Sequence, residues 1–315
     1  YGIPQETECT MPAFAIKYFK VVAFFSIIQS FTTFIEAADK NINPWVNYNL
    51  GSPDQDLIQI LSNQIQSTGV FYLESFLTEP FLKILQSEVL EATTVRYDSK
   101  RTIVQDQGDF LNYANDSIRN HLFNNSMQFI PRSNFLQNSE IHDFYEYGPL
   151  LNFLKLVTGI DGLFLSGDYD GSVVGARGRN TDGYTFGWHF DEHPLGCVLL
   201  LNQSAEGGTM EYIDYRSGEH SEIRPWGKIQ SFFDGDEKEV GRLKEVAAKP
   251  SDLYCFLGNT TLHRVTEVGK RMPDYRATIV FSFAMEQGFK HSDSFRETGY
   301  WANNVKMSSK QNAEL

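Results

Sequence analysis

The stretch Trp188-His189-Phe190-Asp191 places two metal-binding side chains two residues apart. Residues two apart in a strand point to the same face, so His189 and Asp191 would present an imidazole and a carboxylate to one interior point. A second imidazole is available much later in the chain, at His263. Two imidazoles and one carboxylate suit Fe(II) and leave coordination positions open for a bidentate co-substrate and dioxygen. The spacing therefore predicts a metal site for oxygenase chemistry.

A second group of residues follows His263 on a segment that favours a strand. Arg276 and Thr278 flank Ala277 and would share one strand face. An arginine at such a position grips a carboxylate through two parallel charge-assisted hydrogen bonds, and a neighbouring hydroxyl adds a third. We therefore expect this pair to bind the far carboxylate of a co-substrate.

On these residues the chain resembles the Fe(II)/2-oxoglutarate dioxygenase superfamily. Residues 207–212, 249–256 and 262–266 are similar to successive core strands of that family, and the resemblance covers roughly residues 69 to 285. It implies Fe(II) as the metal, 2-oxoglutarate and O2 as co-substrates, and ascorbate as a supporting reductant. The residues that it implies are His189, Asp191 and His263 as catalytic iron ligands, with Arg276 and Thr278 for 2-oxoglutarate.

The resemblance also implies a reaction, the removal of hydrogen from an unactivated carbon, followed by hydroxylation, desaturation or ring closure. Residues 207–212 and 262–266 look most similar to the branch that modifies free amino acids, which includes halogenases and hydroxylases. One group with this chemistry is the algal oxidative cyclases that form kainoid rings from N-prenylated glutamate precursors. The implied substrate is a small amino-acid-like molecule of amino acid metabolism or natural product biosynthesis. Halogenating members replace the carboxylate ligand with a small residue, whereas this chain has Asp191.

Four residues are candidates for contact with the substrate. Glu192 follows the ligand pair, and Trp301 belongs to an aromatic pair near the C-terminus. Trp301 either faces the substrate or fixes the tail in a hydrophobic clamp. Arg177 and Arg179 lie just upstream of the ligand strand, where they either bind a substrate carboxylate or belong to a surface loop.

Other histidines compete with the preferred ligands. His220-Ser221-Glu222 precedes His263, but it lies in a charged segment with Gly and Pro that is typical of a solvated loop. His291-Ser292-Asp293 repeats the H-x-D spacing without a histidine after it. His193 either joins a hydrogen bond to the site or is a polar turn residue before Pro194. The sequence context of these histidines therefore favours His189 as the first ligand.

Short strands separated by Gly, Pro and Asp turns predict an all-β core, a cupin-like double-stranded β-helix or jelly roll, buttressed by N-terminal α-helices. We expect residues 98–140 to form a long loop with short helices, and residues 216–241 to form a solvated lid or flap. The predicted strands are 70–73, 163–169, 184–190, 197–201, 209–212, 243–247, 253–257 and 276–283, and the predicted helices lie near 53–65, 78–90 and 144–157.

Composition limits the partners. The 315 residues carry 40 acidic and 27 basic side chains, a net charge of −13, which disfavours nucleic acid and acidic membrane surfaces. Small molecules are the expected partners. The three cysteines imply no disulfide framework, and Cys197 and Cys255 are expected to be free, buried thiols.

The N-terminal region predicts a targeting segment. Residues 21–35 carry no charge, follow Lys17 and Lys20, and end near Ala37-Ala38, the layout of a secretory signal. This stretch is too short for a stable membrane span. We therefore divide the chain into an extension, residues 1–38, and a dioxygenase domain, residues 39–315. The expected location is the secretory pathway or an organelle; if the segment is instead a core helix, the protein is soluble.

Two further functions remain open. A secretory-pathway prolyl or lysyl protein hydroxylase would share the metal and co-substrate residues, but that branch often uses lysine where this chain has Arg276. A jelly-roll binding module without catalysis would not need to retain all four of His189, Asp191, His263 and Arg276. The sequence favours the small-molecule oxygenase.

Overall fold

The computed structural model describes residues 43–104, 113–179, 184–215, 224–269 and 275–291. Within the unit formed by residues 45–315, the described residues form a twelve-stranded sheet in which all pairings are antiparallel. The strands are β1 Val70–Leu73, β2 Val95–Arg101, β3 Phe123–Pro131, β4 Phe164–Leu165, β5 Val173–Arg179, β6 Thr185–His189, β7 Leu195–Asn202, β8 Met210–Asp214, β9 Lys244–Glu245, β10 Leu253–Phe256, β11 Thr261–Val265 and β12 Tyr275–Ala284.

The sheet curls around an interior cavity. Its strand order is β1-β10-β7-β12-β5-β3-β6-β11-β8-β9, with β2 beside β3 and β4 beside β12. Strands β10 and β7 belong to one half of this order, and β11 and β8 belong to the other. All four strands line the same cavity. The predicted jelly roll is therefore confirmed.

Successive side chains of β12 point alternately into the cavity and into the hydrophobic core. Arg276, Thr278, Val280 and Ser282 line the cavity. The intervening side chains, from Ala277 to Phe283, belong to the main hydrophobic cluster. Because successive side chains of a strand point to opposite faces, one strand serves both environments.

The helices are α1 Gln55–Thr68, α2 Glu79–Glu91, α3 Glu140–Glu146, α4 Gly148–Thr158, α5 Tyr169–Ser172, α6 Trp226–Phe233 and α7 Glu237–Val240. The first four contribute apolar side chains to the main hydrophobic cluster on the core face of the sheet, as predicted, whereas Ile229 on α6 belongs to a separate cluster with Trp188, Ile213 and Leu262. Asp54 caps the first turn of α1 by accepting from the backbone N–H of Asp56 and Leu57, and Pro80 occupies the first turn of α2. No helix in the described ranges combines the length and apolar content needed to cross a membrane.

The prediction of a long loop over residues 98–140 was wrong. That region completes β2 and contains β3, which lies between β5 and β6 in the sheet. Sequence analysis missed β3 because the strand contains several polar residues. One of them, Asn125, is buried, and its side chain accepts a hydrogen bond from the backbone N–H of Gly187 at 2.9 Å. The Asn125 side chain thus serves as a sheet contact for Gly187. A search for alternating hydrophobic residues does not detect a strand of this kind.

Two other boundaries differ from the predictions. The expected helix over 144–157 is divided between α3 and α4, and Pro149 lies in the first turn of α4, which begins at Gly148. The glycine-rich segment with Arg177 and Arg179, for which a surface loop was one interpretation, is strand β5. A Cβ on Gly178 would lie 1.8 Å from the ring of Tyr184, so this glycine permits close packing inside the sheet.

Cys197 and Cys255 are buried, as expected, but they are not free thiols. They lie opposite each other on β7 and β10 and form a disulfide. The pairing depends on the register of two strands that are distant in sequence, so composition did not predict it. Within the predicted lid, residues 224–241 contain α6 and α7. Residues 216–223 lie outside the described chain. The proposed signal segment and the boundary after residue 38 also lie outside the described residues.

The packing of α3 on β12 generates a stability prediction. Phe144 is fully buried, and its ring lies 5.5 Å from that of Phe81 and 5.9 Å from that of Phe281. Phe144→Ala should reduce the free energy of unfolding by about 3–5 kcal/mol through lost burial and a cavity. Chemical denaturation measures this change. The control is Leu156→Ala on α4, because Leu156 is 52% exposed; equal losses in the two variants would contradict this packing.

Candidate active site

The two histidines of the candidate metal site face each other across neighbouring strands. His189 ends β6 and pairs directly with His263 on β11. Each imidazole shares a hydrogen bond through Nδ1 with a carbonyl of its own strand, His189 with Gly187 at 2.7 Å and His263 with Thr261 at 2.9 Å. Since a carbonyl only accepts, Nδ1 carries the proton and Nε2 offers its lone pair to a metal.

Asp191 reaches the same point from just beyond β6. Its backbone N–H donates to the carbonyl of Gly258 at 2.9 Å, which docks the ligand segment on the turn between β10 and β11. A Cβ on Gly258 would lie 2.7 Å from the Asp191 side chain, so only glycine permits this approach. The sequence predicted a continuous strand through Phe190; instead, a turn contact orients the carboxylate.

The three ligand atoms converge. Asp191 Oδ1 lies 3.3 Å from His189 Nε2 and 3.6 Å from His263 Nε2, and the three ligand atoms all lie within 4.8 Å of one another. Desolvation opposes the charged form of Asp191, but the neighbouring His263 and His189 outweigh it and hold the pKa of the carboxyl below its ordinary value. Burial lowers the pKa of His263 to about 4, so its imidazole is uncharged at neutral pH. These are the protonation states that bind a metal cation.

Arg276 lies in the same cavity and is 3% exposed. Its guanidinium donates to the hydroxyls of Tyr184 and Tyr254, each at 3.2 Å, and lies 3.5 Å from Thr278 Oγ1. Burial alone would lower the pKa of Arg276, but the two tyrosines reverse the direction and raise it. The cation is therefore retained in the interior.

Nε of Arg276 is one of the buried polar atoms without a hydrogen-bond partner in the described part of the chain. Buried N–H groups are rarely left unpaired, because each such group loses its bond to water. Together with two imidazoles and a carboxylate, this fits Fe(II) at the triad and the tail carboxylate of 2-oxoglutarate at Arg276.

The cavity is mainly apolar and has a volume of about 140 Å³. A water molecule needs roughly 10–15 Å³ on this measure, so the space admits a small organic molecule. Phe256 packs beside His263 with ring centroids 4.5 Å apart. The apolar part of the lining comprises Met127, Phe129, Val174, Ala176, Phe186, Val198, Met210, Phe256, Val265 and Val280.

Of the four candidate substrate residues, the structure places one in the cavity. Glu192 lines the cavity beside the triad. Arg177 donates instead to the carbonyls of Val89, at 3.0 Å, and Leu90, where it caps the C-terminal end of α2. The side chain of Arg179 and all of Trp301 lie outside the described parts of the structure.

Two residues of the site were missed by sequence analysis, Tyr184 and Tyr254. Burial raises the pKa of both hydroxyls, so they remain protonated. A hydroxyl that accepts from Arg276 retains its own hydrogen to donate to a bound carboxylate. The one available signal was that strand alternation places Tyr254 on the same face as Phe256, within an otherwise apolar run.

A sequence profile described as HalD, Halogenase D, matches residues 53–301. No curated protein matches the chain.

Three solved structures illustrate the structural similarity. A 2OG-Fe(II) oxygenase family oxidoreductase from Burkholderia pseudomallei is 11% identical, with 73% of this chain and 91% of that chain covered and a TM-score of 0.49. The non-heme alpha ketoglutarate dependent epimerase SnoN from nogalamycin biosynthesis is 13% identical, covering 73% and 84%, with a TM-score of 0.49. A Pseudomonas putida prolyl-4-hydroxylase is 14% identical, covering 72% and 98%, with a TM-score of 0.42. At these identities and TM-scores, the likenesses carry no conclusion about the chemistry of this chain.

The triad generates the first prediction for the site. His189→Ala, Asp191→Ala and His263→Ala should each abolish tight Fe(II) binding, because each removes a ligand atom. Anaerobic calorimetric titration with Fe(II) measures the affinity, and circular dichroism checks that the fold persists. Wild-type affinity in any of the three variants would refute the metal assignment.

Arg276 generates the second prediction. Arg276→Ala should weaken 2-oxoglutarate binding at least about tenfold, since hydrogen bonds to a charged group are lost, while the affinity for Fe(II) changes little. Calorimetry of the Fe(II)-loaded protein separates the two affinities. Tyr254→Phe serves as a milder control that removes one hydroxyl and retains the ring. Equal loss of Fe(II) affinity and 2-oxoglutarate affinity in Arg276→Ala would contradict the assignment of Arg276 to 2-oxoglutarate binding.

Proposed function

Because the chain belongs to the Halogenase D family, and because its jelly roll carries the His-Asp-His triad of an Fe(II)/2-oxoglutarate-dependent oxygenase, we propose that it oxidises a small amino-acid-like molecule. The reaction is hydroxylation or oxidative cyclisation at an unactivated carbon. The observation that carries the proposal is the convergence of three ligand atoms in one cavity with the buried cation of Arg276.

The site residues have different roles in the proposed reaction. His189, Asp191 and His263 hold the metal, and Arg276 with the neighbouring hydroxyls orients the tail of 2-oxoglutarate. When bound, Fe(II) with 2-oxoglutarate and O2 supplies the oxidant that takes hydrogen from the substrate carbon. The apolar lining keeps water from the reacting carbon.

The stoichiometry distinguishes two outcomes. In hydroxylation, substrate, 2-oxoglutarate and O2 give hydroxylated substrate, succinate and CO2, with one oxygen atom in each of the two organic products. In cyclisation the substrate loses two hydrogen atoms, and the second oxygen atom leaves as water. Succinate release therefore reports both reactions, whereas the mass of the product separates them.

The family description raises halogenation as a competing reaction. A halide needs a vacant coordination position, which halogenating enzymes of this superfamily obtain by replacing the carboxylate ligand with a small residue. Asp191 provides that carboxylate, with Oδ1 within 3.6 Å of both histidine Nε2 atoms. We therefore propose oxygenation rather than halogenation.

The charge and size of the cavity support a small substrate with an amino group. Among the described lining residues, Arg276 is the only arginine or lysine, whereas Asp191 and Glu192 are both acidic. Arg177, which had suggested a multiply anionic substrate, binds helix carbonyls instead. Kainoid ring formation is one form of the proposed cyclisation, and an N-prenylated glutamate is the substrate that tests it.

We also propose that the protein folds in an oxidising compartment, reached through the N-terminal segment. The disulfide between Cys197 and Cys255 supports this location, because such bonds form and persist in secretory compartments.

The experiment is a substrate screen with the full chain, loaded anaerobically with Fe(II) and then supplied with 2-oxoglutarate, O2 and chloride. Free amino acids, an N-prenylated glutamate, and peptides containing proline or lysine are tested for stimulated succinate release, with His263→Ala as the inactive control. We expect at least one amino acid to stimulate succinate release and to gain one oxygen atom or lose two hydrogen atoms.

Each contrary outcome removes a different part of the proposal. Absence of succinate under all conditions would contradict the oxygenase activity. Stimulation by peptides alone would favour a prolyl or lysyl protein hydroxylase. Replacement of hydrogen by chlorine in the product would contradict the role assigned to Asp191.

A further inference from the structure

Strand β6 is irregular immediately before the histidine that it contributes to the metal site. Its register with β11 pairs Phe186 with Val265 and His189 with His263. Two residues of β6, at positions 187–188, lie between these pairs, whereas β11 has a single residue there. Two residues opposite one define a β-bulge, a feature that often re-aims a side chain beside an active site.

The bulge determines which way His189 points. Side chains of a regular strand alternate, so two residues that are three positions apart lie on opposite faces. Phe186 and His189 nevertheless both line the cavity. Their partners on β11, Val265 and His263, are two positions apart and line the cavity as well. The extra residue of β6 therefore turns His189 to the face that Phe186 already occupies.

A side chain of β3 holds this bulge. The backbone pairing of β3 with β6 extends as far as Asn125, which lies opposite Phe186. The next residue of β6, Gly187, donates its backbone N–H to Oδ1 of Asn125 at 2.9 Å. The other end of the amide is also bonded, because Nδ2 donates to Ser99 Oγ on β2 at 3.2 Å. The Asn125 side chain is thus fixed at both ends and buried within the sheet.

Gly187 connects Asn125 to the imidazole. Its N–H donates to Asn125, and its carbonyl accepts from His189 Nδ1 at 2.7 Å. A Cβ on this glycine would lie 2.5 Å from the Cβ of Phe123, so only glycine fits between the two strands. A continuous set of hydrogen bonds therefore runs from Ser99 on β2 through Asn125 and Gly187 to the metal site.

The other histidine, His263, is oriented through backbone groups instead. Its Nδ1 donates to the carbonyl of Thr261 at 2.9 Å, and the N–H of Thr261 donates to the carbonyl of Leu257 at 2.8 Å. The acceptor behind Thr261 is thus a backbone carbonyl, whereas the acceptor behind the carbonyl that orients His189 is the side chain of Asn125. A substitution of Asn125 should release one imidazole and leave the other in place.

We propose that Asn125 is a positioning residue of the metal site, which holds the β-bulge at Gly187 and thereby keeps His189 turned into the cavity with Nε2 toward the metal. This inference rests on the proposed function and adds to its site a residue that does not touch the metal. Asn125 acts through Gly187, because the hydrogen bond at one nitrogen of a metal-binding imidazole fixes the orientation and tautomer of the ring.

Four variants separate this role from a general contribution to folding. Asn125→Leu is the informative variant, because leucine has a similar volume but neither donates nor accepts a hydrogen bond. Asn125→Asp is the conservative variant, since it retains an oxygen acceptor for the Gly187 N–H. Asn124→Leu is the matched control, because Asn124 is the exposed neighbour on the same strand. Asn125→Ser, whose shorter side chain also withdraws the acceptor, gives the same comparison if Asn125→Leu does not fold.

The first measurement is anaerobic calorimetric titration of the folded full chain with Fe(II). Asn125→Leu should weaken Fe(II) binding about tenfold or more, the usual effect of removing an outer partner of a metal-binding histidine. Asn125→Asp should recover most of this loss, and Asn124→Leu should match the wild type.

The second measurement is ¹⁵N–¹H NMR of the imidazoles in the metal-free protein, with signals assigned from His189→Ala and His263→Ala. In the wild type both rings should carry the proton on Nδ1. In Asn125→Leu the His189 signals should lose this single tautomer, whereas the His263 signals should keep it.

Other results would overturn the inference. Wild-type Fe(II) affinity in folded Asn125→Leu would reduce Asn125 to a structural contact, and an equal loss in Asn125→Asp would contradict the role of the acceptor oxygen. Equal changes in the His189 and His263 signals would indicate a general loosening of the sheet. Each of these results leaves the metal site itself intact, whereas failure of the wild type to bind Fe(II) would remove the proposed function.

Discussion

The direct opposition of His189 and His263 on neighbouring antiparallel strands is the constraint on which the site depends. Antiparallel pairing brings opposite residues within a few ångströms, so the register of β6 and β11 determines whether two imidazoles meet. Each ring is then fixed through Nδ1 by a carbonyl of its own strand. The metal site is therefore built from the sheet itself, and the turn at Gly258 adds the third ligand.

Strand β12 couples the stability of the fold to the chemistry of the cavity. One face of the strand contributes Ala277, Ile279, Phe281 and Phe283 to the core beneath the helices, and the other carries Arg276 and Thr278. The guanidinium is consequently held on a rigid, buried support. Such a support keeps a binding group oriented before the ligand arrives, which lowers the cost of ordering it.

The cavity is electrically asymmetric. A buried guanidinium with two tyrosine hydroxyls occupies one end, and carboxylates with imidazoles occupy the other, with the triad in the same cavity. The family description alone does not define the reaction, since Asp191 supplies a carboxylate where a halide would need an open position.

Local pattern determined much of this protein. Period-two alternation predicted the face shared by Arg276 and Thr278 and most strands of the jelly roll, because the direction of a side chain in a strand depends only on its position along that strand. The spacing of His189 and Asp191 identified the ligand pair, but Asp191 lies beyond the end of β6 and is positioned by the turn at Gly258. The strand over Phe123–Pro131 escaped prediction because a polar side chain, Asn125, supplies one of its sheet contacts.

Only the tertiary structure decided the contacts between distant segments. Arg177 caps a helix 88 residues earlier, Cys197 meets Cys255 across 58 residues, and Asp168 meets His291 across 123. Each contact depends on strand register and on the closure of the sheet, which no local window of sequence contains.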